Sequence, residues 1–174
     1  MNRPPIVSPE QWKAAREALL VKEKLDKIGL KGYPKTTGGD GMHVYVPVET
    51  EYTYDQARSF AEVIARLLAA ERPDLFTTPR SVAAREKNRV YFDYLQIAES
   101  KTISAPYCAR AYRGAPISTP LKWEEVTPKL HPTQFSIKNG PDRFARVGDL
   151  FEGVLKKPQR LEKAFDKLHK LVRG

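Results

Sequence analysis

The sequence is 174 residues long, with 41% hydrophobic and 29% charged residues and a formal net charge of +9. It contains no apolar stretch long enough to cross a bilayer, no signal-peptide-like start and a single cysteine, Cys108, which excludes a disulfide framework and a cysteine zinc site. We therefore expect one domain over residues 1–174, with its own core, in a reducing cytoplasm. The basic excess indicates either a solvated surface or polyanion binding, and net charge alone does not separate the two.

A long helix is predicted near the N-terminus. Ser8, with a proline after it and a glutamine three residues on, is typical of a helix start. Apolar residues then recur at helical spacing as far as Gly29, which fits a helix stop. The pattern predicts a helix over residues 8–29 after a flexible N-terminus over residues 1–7.

Residues 34–48, PKTTGGDGMHVYVPV, predict a glycine-rich loop that leads into a strand. The alternation from His43 to Val48 indicates the strand. The glycines at positions 38, 39 and 41 free the backbone to direct its N–H groups towards an anion, and the histidine could donate to a phosphate oxygen. A plain hairpin or connector that turns at Asp40-Gly41 is the alternative, as is a core or surface histidine.

The middle of the chain predicts one helix and two strands. A capping box at Thr53 and Gln56 precedes an apolar stripe that ends at Pro73, which predicts a helix packed on a sheet. Residues 90–95, VYFDYL, are rich in strand formers and predict a buried strand, and residues 103–110 predict another.

Asp93 lies inside the predicted buried strand, where a carboxylate is costly unless it is paired. Either its side chain points to the solvent face of the strand, or it binds Mg²⁺ or Mn²⁺ in a cleft, because these ions prefer hard oxygen ligands.

Basic residues surround this strand. We predict that Arg85, Lys87 and Lys101 bind the DNA backbone, and that Arg110 and Arg113 clamp phosphate. The alternative for Arg85, Lys87 and Lys101 is a solvated loop, and for Arg110 and Arg113 it is that they simply cover the sheet.

The C-terminal part predicts short elements and a final helix. A helical turn at 123–126, an extended piece at 135–137 and a helix at 141–147 precede a basic amphipathic helix at 155–172. Helices and strands intermix, so the fold class is α/β or α+β, with a mixed β-sheet flanked by helices.

Several blocks follow one another along the chain: KTTGGDGMHVYVP, RVYFDYLQ, KTISAPYCAR, GAPISTPLKWEEV, HPTQFSIKN and RVGDLFEGVL. Together they resemble the polymerase domain of prokaryotic DNA ligase D, a primase-type polymerase that serves non-homologous end joining. The resemblance covers residues 16–165. It implies a primase-polymerase catalytic core, of which this chain matches the C-terminal half.

The resemblance also implies roles for individual residues. Asp93 matches a catalytic aspartate that binds metal, and Gln96 and Arg110 match side chains that contact the nucleotide. Asp40 and Ile97 stand where the family has lysine and asparagine. The remaining matches are nucleotide-binding residues of the loop: Lys35, Thr37, Gly38, Gly39 and His43.

The family's Asp-x-Asp metal-binding pair has no counterpart in the sequence, whose first aspartate is Asp26. Two hypotheses follow. The chain is the nucleotide- and DNA-binding portion of a polymerase that adds nucleotides at DNA ends in double-strand-break repair, or it is a non-catalytic remnant or a docking partner of a repair ligase. The implied cofactor is Mn²⁺ or Mg²⁺. The implied partners are DNA ends, a nucleoside triphosphate, Ku, and a ligase domain or a separate chain carrying the N-terminal half, all in the cytoplasm near the nucleoid.

Overall fold

The computed structural model describes residues 9–78, 81, 89–131 and 133–173. None of the helices in these ranges has the length and apolar character that a membrane crossing requires. In chain order the elements are α1 (Pro9–Ile28), β1 (Tyr33–Thr36), β2 (Met42–Tyr45), α2 (Tyr54–Glu71), β3 (Phe76–Thr77), β4 (Val90–Tyr91), a 3-10 turn at Tyr94–Gln96, a second at Trp123–Glu125, α3 (Gly140–Val147), α4 (Glu152–Lys156) and α5 (Glu162–Arg173).

Helix α2 forms where the capping box predicted it. The Thr53 hydroxyl accepts the N–H of Gln56 at 3.2 Å, and the Gln56 side chain accepts the N–H of Thr53 at 2.8 Å. Two of the N–H groups that a helix start leaves unpaired are thereby satisfied. Phe60, Ile64 and Leu68, spaced four residues apart, form the buried face of α2, which confirms the predicted apolar stripe.

The main core lies where α1, α2 and α5 meet. Its fully buried members include Leu25 of α1, Leu68 of α2, and Leu161 and Leu168 at the start and in the middle of α5. A smaller core contains Ala15, Ala18, Leu121, Val126 and Leu130. Removal of these apolar surfaces from water stabilises the helix packing.

Strand β2 separates the cores from a polar face. Val44 packs against both cores, and Met42 packs against the smaller one. Because side chains alternate along a strand, His43 and Tyr45 point to the opposite face. This alternation places the predicted loop histidine away from the apolar packing.

Two small sheets occur in the described residues. β1 and β2 form an antiparallel hairpin, and β3 and β4 form a parallel pair. The segment around Thr119 continues the hairpin sheet along β1, since the N–H of Thr36 donates to the Thr119 carbonyl at 2.9 Å and that of Leu121 to the Pro34 carbonyl at 3.0 Å. The α+β class is confirmed, with two separate small sheets in the described ranges instead of one mixed sheet.

The predicted buried strand over residues 90–95 is wrong beyond Tyr91. Its partner β3 ends at Thr77, and the pairing between the two strands stops at Thr77 and Tyr91. The N–H of Phe92 makes the last bond to β3, and the chain then turns into the 3-10 turn. Asp93 is consequently exposed.

The strand predicted over residues 103–110 is also wrong. In this range only Ala109 forms a β-bridge, to Ile117, and the rest is irregular. The predicted strand from His43 to Val48 ends at Tyr45, and β1, which the sequence assigned to the loop, is a strand.

The predicted helix over residues 155–172 is two helices in the structure. Pro158 separates α4 from α5, and Lys157 before it has φ −131° and ψ 63°, outside the helical region. Proline disfavours helical geometry in the residue that precedes it. The predicted amphipathic pattern holds within α5, where Ala164 and Leu168 are buried and Lys163 is exposed.

The remaining helical predictions are confirmed. Helix α1 ends at Ile28, immediately before Gly29, although Ser8 lies outside the described residues. Helix α3 and the 3-10 turn at Trp123–Glu125 occupy the predicted positions.

Candidate functional site

The glycine-rich segment is the turn of the β1–β2 hairpin. Lys35 pairs directly with His43 across the hairpin. Thr37 closes the loop, since its N–H donates to the Gly41 carbonyl at 3.0 Å. The N–H groups of Gly39 and Gly41 both donate to the Thr37 hydroxyl oxygen, at 3.1 and 3.3 Å. The loop is therefore a hairpin, the alternative that the sequence left open, and its N–H groups converge on one oxygen as they would on an anion.

Gly38 allows an arginine to lie directly on this loop. Its φ of +71° is in the region that favours glycine. A Cβ at Gly38 would lie 2.6 Å from Cγ of Arg110 and 3.1 Å from the backbone nitrogen of Ser118. A side chain at position 38 would therefore displace the stem of Arg110.

Arg110 is held in place by backbone pairing and by an aromatic ring. Its N–H donates to the Pro116 carbonyl at 2.8 Å, and its neighbour Ala109 bridges to Ile117. The guanidinium carbon lies 5.6 Å from the centre of the Tyr112 ring, within the range of a cation–π contact. The arginine is thus fixed beside the loop by the turn that follows it.

Lys35 is fully buried, with 0% of its surface exposed. Its ammonium donates to the hydroxyl of Ser118 at 2.5 Å and to that of Ser104 at 3.3 Å. Burial lowers the pKa of Lys35 to about 8, with Cys108 opposing the shift and Arg110 adding to it. Lys35 is therefore a buried cation on the strand that leads into the loop, and it does not face solvent.

His43 lies across the hairpin from Lys35 and is largely buried. Its Nδ1 atom is buried and has no hydrogen-bond partner among the described residues. Burial, together with the smaller effects of the Lys35 and Arg110 charges, lowers the pKa of His43 to about 4. The imidazole is therefore neutral at pH 7, and the nitrogen that carries the proton can donate a hydrogen bond.

We call Lys35, Thr37, His43 and Arg110 the hairpin cluster. No carboxylate contributes to the pKa shift of either Lys35 or His43. The buried Nδ1 atom of His43 has no hydrogen-bond partner among the described residues, and Lys35 and Arg110 carry positive charge. The cluster therefore lacks a hydrogen-bond partner for His43 and a negative charge. Phosphate groups supply both missing properties, because they are anionic and have several acceptor oxygens.

Asp93 and Gln96 lie in a separate cleft of about 400 Å³. No member of the hairpin cluster lines it. The cleft is lined by Arg58, Tyr91, Asp93, Leu95, Gln96, Ala98 and Lys101. Lys101 of the cleft and Ser104, which contacts Lys35, are three residues apart, a length of chain that spans at most about 10 Å. The cleft and the hairpin cluster are therefore neighbours that do not share a pocket in the described part of the chain.

The cleft does not by itself fit a bound divalent metal ion. Asp93 is the one carboxylate among the residues that line it. Within the described ranges, no group of three or more histidine, cysteine, aspartate or glutamate side chains could hold a metal. Mg²⁺ and Mn²⁺ sites of polymerases need carboxylates on both ions, so the remaining ligands would have to come from elsewhere.

The predicted DNA-binding residues fall in different places. Lys101 is exposed at the cleft, whereas Arg85 and Lys87 lie outside the described residues. Arg113 is exposed on the turn after Arg110.

Sequence reasoning missed three residues around the hairpin cluster. Ser104 and Ser118 hold the Lys35 ammonium, and Tyr112 contacts both Arg110 and the loop. Pairing between β1 and the segment after Ile117 brings Ser118 close to Lys35, and this pairing joins residues more than 80 positions apart. Only the serine, the threonine and the two prolines of GAPISTP indicated an extended polar segment there.

Comparison with known proteins identifies the family. A model of the LigD primase-polymerase domain matches residues 5–151. The chain belongs to this family. It is 37% identical over 147 residues to the bifunctional non-homologous end joining protein LigD of Bacillus subtilis, and 35% identical over 137 residues to the multifunctional LigD of Pseudomonas aeruginosa.

These matches cover much more of this chain than of its relatives. They span 84% and 76% of this chain, but only 24% and 16% of the two LigD proteins. The fold matches that of the polymerase domain of Mycobacterium tuberculosis ligase D, solved in complex with DNA, with a TM-score of 0.77 and 31% identity over 86% of this chain and 51% of that one. The family resemblance that the sequence blocks carried is confirmed, and the chain spans about half of the solved domain.

Proposed function

We propose that the chain is the nucleotide- and DNA-binding portion of a LigD-type polymerase, and that its hairpin cluster binds the triphosphate of a nucleoside triphosphate. The observation that carries this proposal is the buried Nδ1 atom of His43, which has no hydrogen-bond partner among the described residues and lies near the charges of Lys35 and Arg110, with no carboxylate to compensate them. The family membership supports it.

The hairpin cluster offers three kinds of contact to phosphate. Arg110 presents a guanidinium, which binds phosphate oxygens in pairs. His43 is neutral and donates one hydrogen bond. The loop N–H groups that now converge on the Thr37 hydroxyl can turn to phosphate oxygens if that hydroxyl moves. Lys35 contributes its positive charge and no direct contact, since its ammonium is already held by two hydroxyls.

The cleft would hold the part of the substrate next to the triphosphate. Gln96 and Asp93 are exposed there and can bind hydroxyl or amide groups. Lys101 adds a cation that fits a DNA backbone phosphate, and the homologous domain was solved with DNA. Such a substrate would bridge the cleft and the neighbouring hairpin cluster.

Nucleotidyl transfer would need more than the described residues provide. The family implies Mn²⁺ or Mg²⁺ at Asp93, yet the cleft offers a single carboxylate. We expect the missing carboxylates to come from a segment or chain that carries the other half of the domain. If none does, the chain is a nucleotide- and DNA-binding remnant, and the lone Asp93 favours that second candidate. Ku and a ligase domain are the further partners that we propose, in the bacterial cytoplasm.

The triphosphate proposal is tested by calorimetric titration of the full chain with ATP. His43→Ala should weaken binding by about tenfold, the size of one lost hydrogen bond to a charged group. His169→Ala, at an exposed position on α5, is the matched control and should bind as the unsubstituted chain does. Equal affinities in all three proteins would remove His43 from the site.

Primer extension in Mn²⁺ separates the two candidates. We expect the chain alone to bind nucleotide without extending a primer. Extension that disappears in Asp93→Ala would show instead that the chain supplies all its metal ligands. Extension that persists in this variant would rule out a metal-binding role for Asp93.

A further inference from the structure

Tyr112 is an aromatic side chain that the proposed function leaves without a role. Its ring is 56% exposed although it is large and mostly apolar. The ring lies beside the glycine loop, because a Cβ at Gly39 would be 3.5 Å from its Cε2 atom. The ring also contacts Arg110, whose guanidinium carbon lies 5.6 Å from the ring centre. An exposed aromatic ring at the rim of a cationic site is the combination that binds nucleobases by stacking.

The turn that carries Tyr112 fixes the backbone from which the ring extends. The Tyr112 N–H donates to the Arg110 carbonyl at 2.8 Å, and the Tyr112 carbonyl accepts the N–H of Ala115 at 2.9 Å. Gly114 and Ala115 have φ of +87° and +45°, which fixes a tight turn. The backbone at Tyr112 therefore needs little further ordering when a ligand binds, which lowers the entropy cost of a contact made there.

The distance between the ring and the guanidinium suits a nucleotide. A base that stacks on Tyr112 would lie about 3.5 Å above the ring plane, the usual contact distance between carbon atoms. Its α-phosphate, one ribose away, would then reach the guanidinium beside the ring. We propose that Tyr112 is the platform on which the base of the bound nucleoside triphosphate stacks. This inference rests on the proposed function, since it assumes that the hairpin cluster holds the phosphates.

Two ligands separate the platform from the phosphate site. Inorganic tripolyphosphate has the phosphates of ATP but no base, so it reports on the hairpin cluster alone. ATP reports on the cluster and the platform together. Each is titrated into the full chain by calorimetry under the same Mg²⁺ and salt concentrations.

Tyr112→Leu should weaken ATP binding by at least about fivefold, the lower end of what one stacked base contributes, and should leave tripolyphosphate affinity within about twofold. Tyr112→Phe keeps the ring and should bind ATP as the unsubstituted chain does. Tyr54→Leu is the control. Tyr54 is also 56% exposed and lies at the first position of α2, so the affinities for ATP and for tripolyphosphate should both stay unchanged.

Each other outcome overturns the inference. Unchanged ATP affinity in Tyr112→Leu would show that no base stacks there. An equal loss for ATP and tripolyphosphate would show that the ring only supports Arg110. If the unsubstituted chain binds ATP and tripolyphosphate equally well, the base makes no contact and the platform fails while the phosphate site stands. If it binds neither ligand, the proposed function and the platform fail together.

Discussion

The buried charge of Lys35 predicts that the free energy of unfolding changes with pH in the alkaline range. Burial lowers the pKa of Lys35 from 10.5 to about 8. At about 1.4 kcal/mol per pKa unit, this shift corresponds to about 3 kcal/mol that the folded state loses while the ammonium stays charged. Below pH 8 both states are protonated and the whole penalty is present. Between pH 8 and 10.5 the unfolded chain binds the proton that the folded chain has released, so the free energy of unfolding rises with pH.

Urea unfolding of the unsubstituted chain and of Lys35→Met, measured from pH 7 to 10.5, isolates this effect. Methionine fills a similar volume without charge. Tyrosines and the other lysines titrate in both proteins, so they cancel in the difference between the two unfolding free energies. From pH 7 to 10.5, the free energy of unfolding of the unsubstituted chain should rise by about 3 kcal/mol relative to that of Lys35→Met.

A substitution at an exposed lysine provides the control. Lys129 is exposed after the 3-10 turn at Trp123–Glu125, and Lys129→Met should follow the pH profile of the unsubstituted chain. A pH-independent difference between the unsubstituted chain and Lys35→Met would refute the reasoning, because it would mean that the ammonium of Lys35 keeps its water in the folded state.

Four further substitutions test the packing by urea unfolding. Gly38→Ala should lower the free energy of unfolding by about 1–3 kcal/mol through backbone strain and overlap with the arginine stem, and Gly114→Ala, with positive φ but open space around it, should lose only the strain part. Leu168→Ala leaves a cavity in the main core and should cost about 2–5 kcal/mol. Arg143→Met breaks two hydrogen bonds to Glu125, of 2.6 and 2.7 Å, and should cost about 2 kcal/mol. Losses below about 0.5 kcal/mol at Leu168 or Arg143 would contradict the packing described for them.

Local signals in the sequence predicted the helices well. The capping box at Thr53 and Gln56 is a contact between residues three positions apart, so it needs no knowledge of the fold. The stop after Ile28 is equally local, since Gly29 has a φ of +82°. Pro158 was the local signal that the prediction of a single final helix ignored.

The strands could not be predicted in the same way. Residues 90–95 have strong strand formers, but the partner β3 has only two residues. A strand does not extend beyond the partner with which it forms hydrogen bonds. Conversely β1, with a proline and a lysine among four residues, has a weak strand pattern and is fully buried because it is paired on both sides. In each case a distant segment decided the outcome.

The candidate site shows the same division. The loop residues and Arg110 were found because of the family resemblance, and the histidine opposite Lys35 follows from a short hairpin. The predicted site residues His43 and Asp93 do not line the same pocket in the described residues, since the cleft and the hairpin cluster have different linings. Ser104 and Ser118 hold the Lys35 ammonium. Only the tertiary fold brings them close to Lys35, so the sequence did not indicate them.

The position of Lys35 links the stability of the protein to the ligand that we propose. Its neighbours on β1 are buried as well, so an apolar side chain would fit there without the penalty of about 3 kcal/mol, in a protein whose net stability is typically about 5–15 kcal/mol. An anion bound at the glycine-rich loop would interact favourably with the positive charge of Lys35, and would raise the pKa of Lys35 back towards its ordinary value. The charge that destabilises the free protein is therefore the one that makes anion binding favourable. For the same reason, affinity for a triphosphate should fall as the pH rises above about 8, where Lys35 loses its proton.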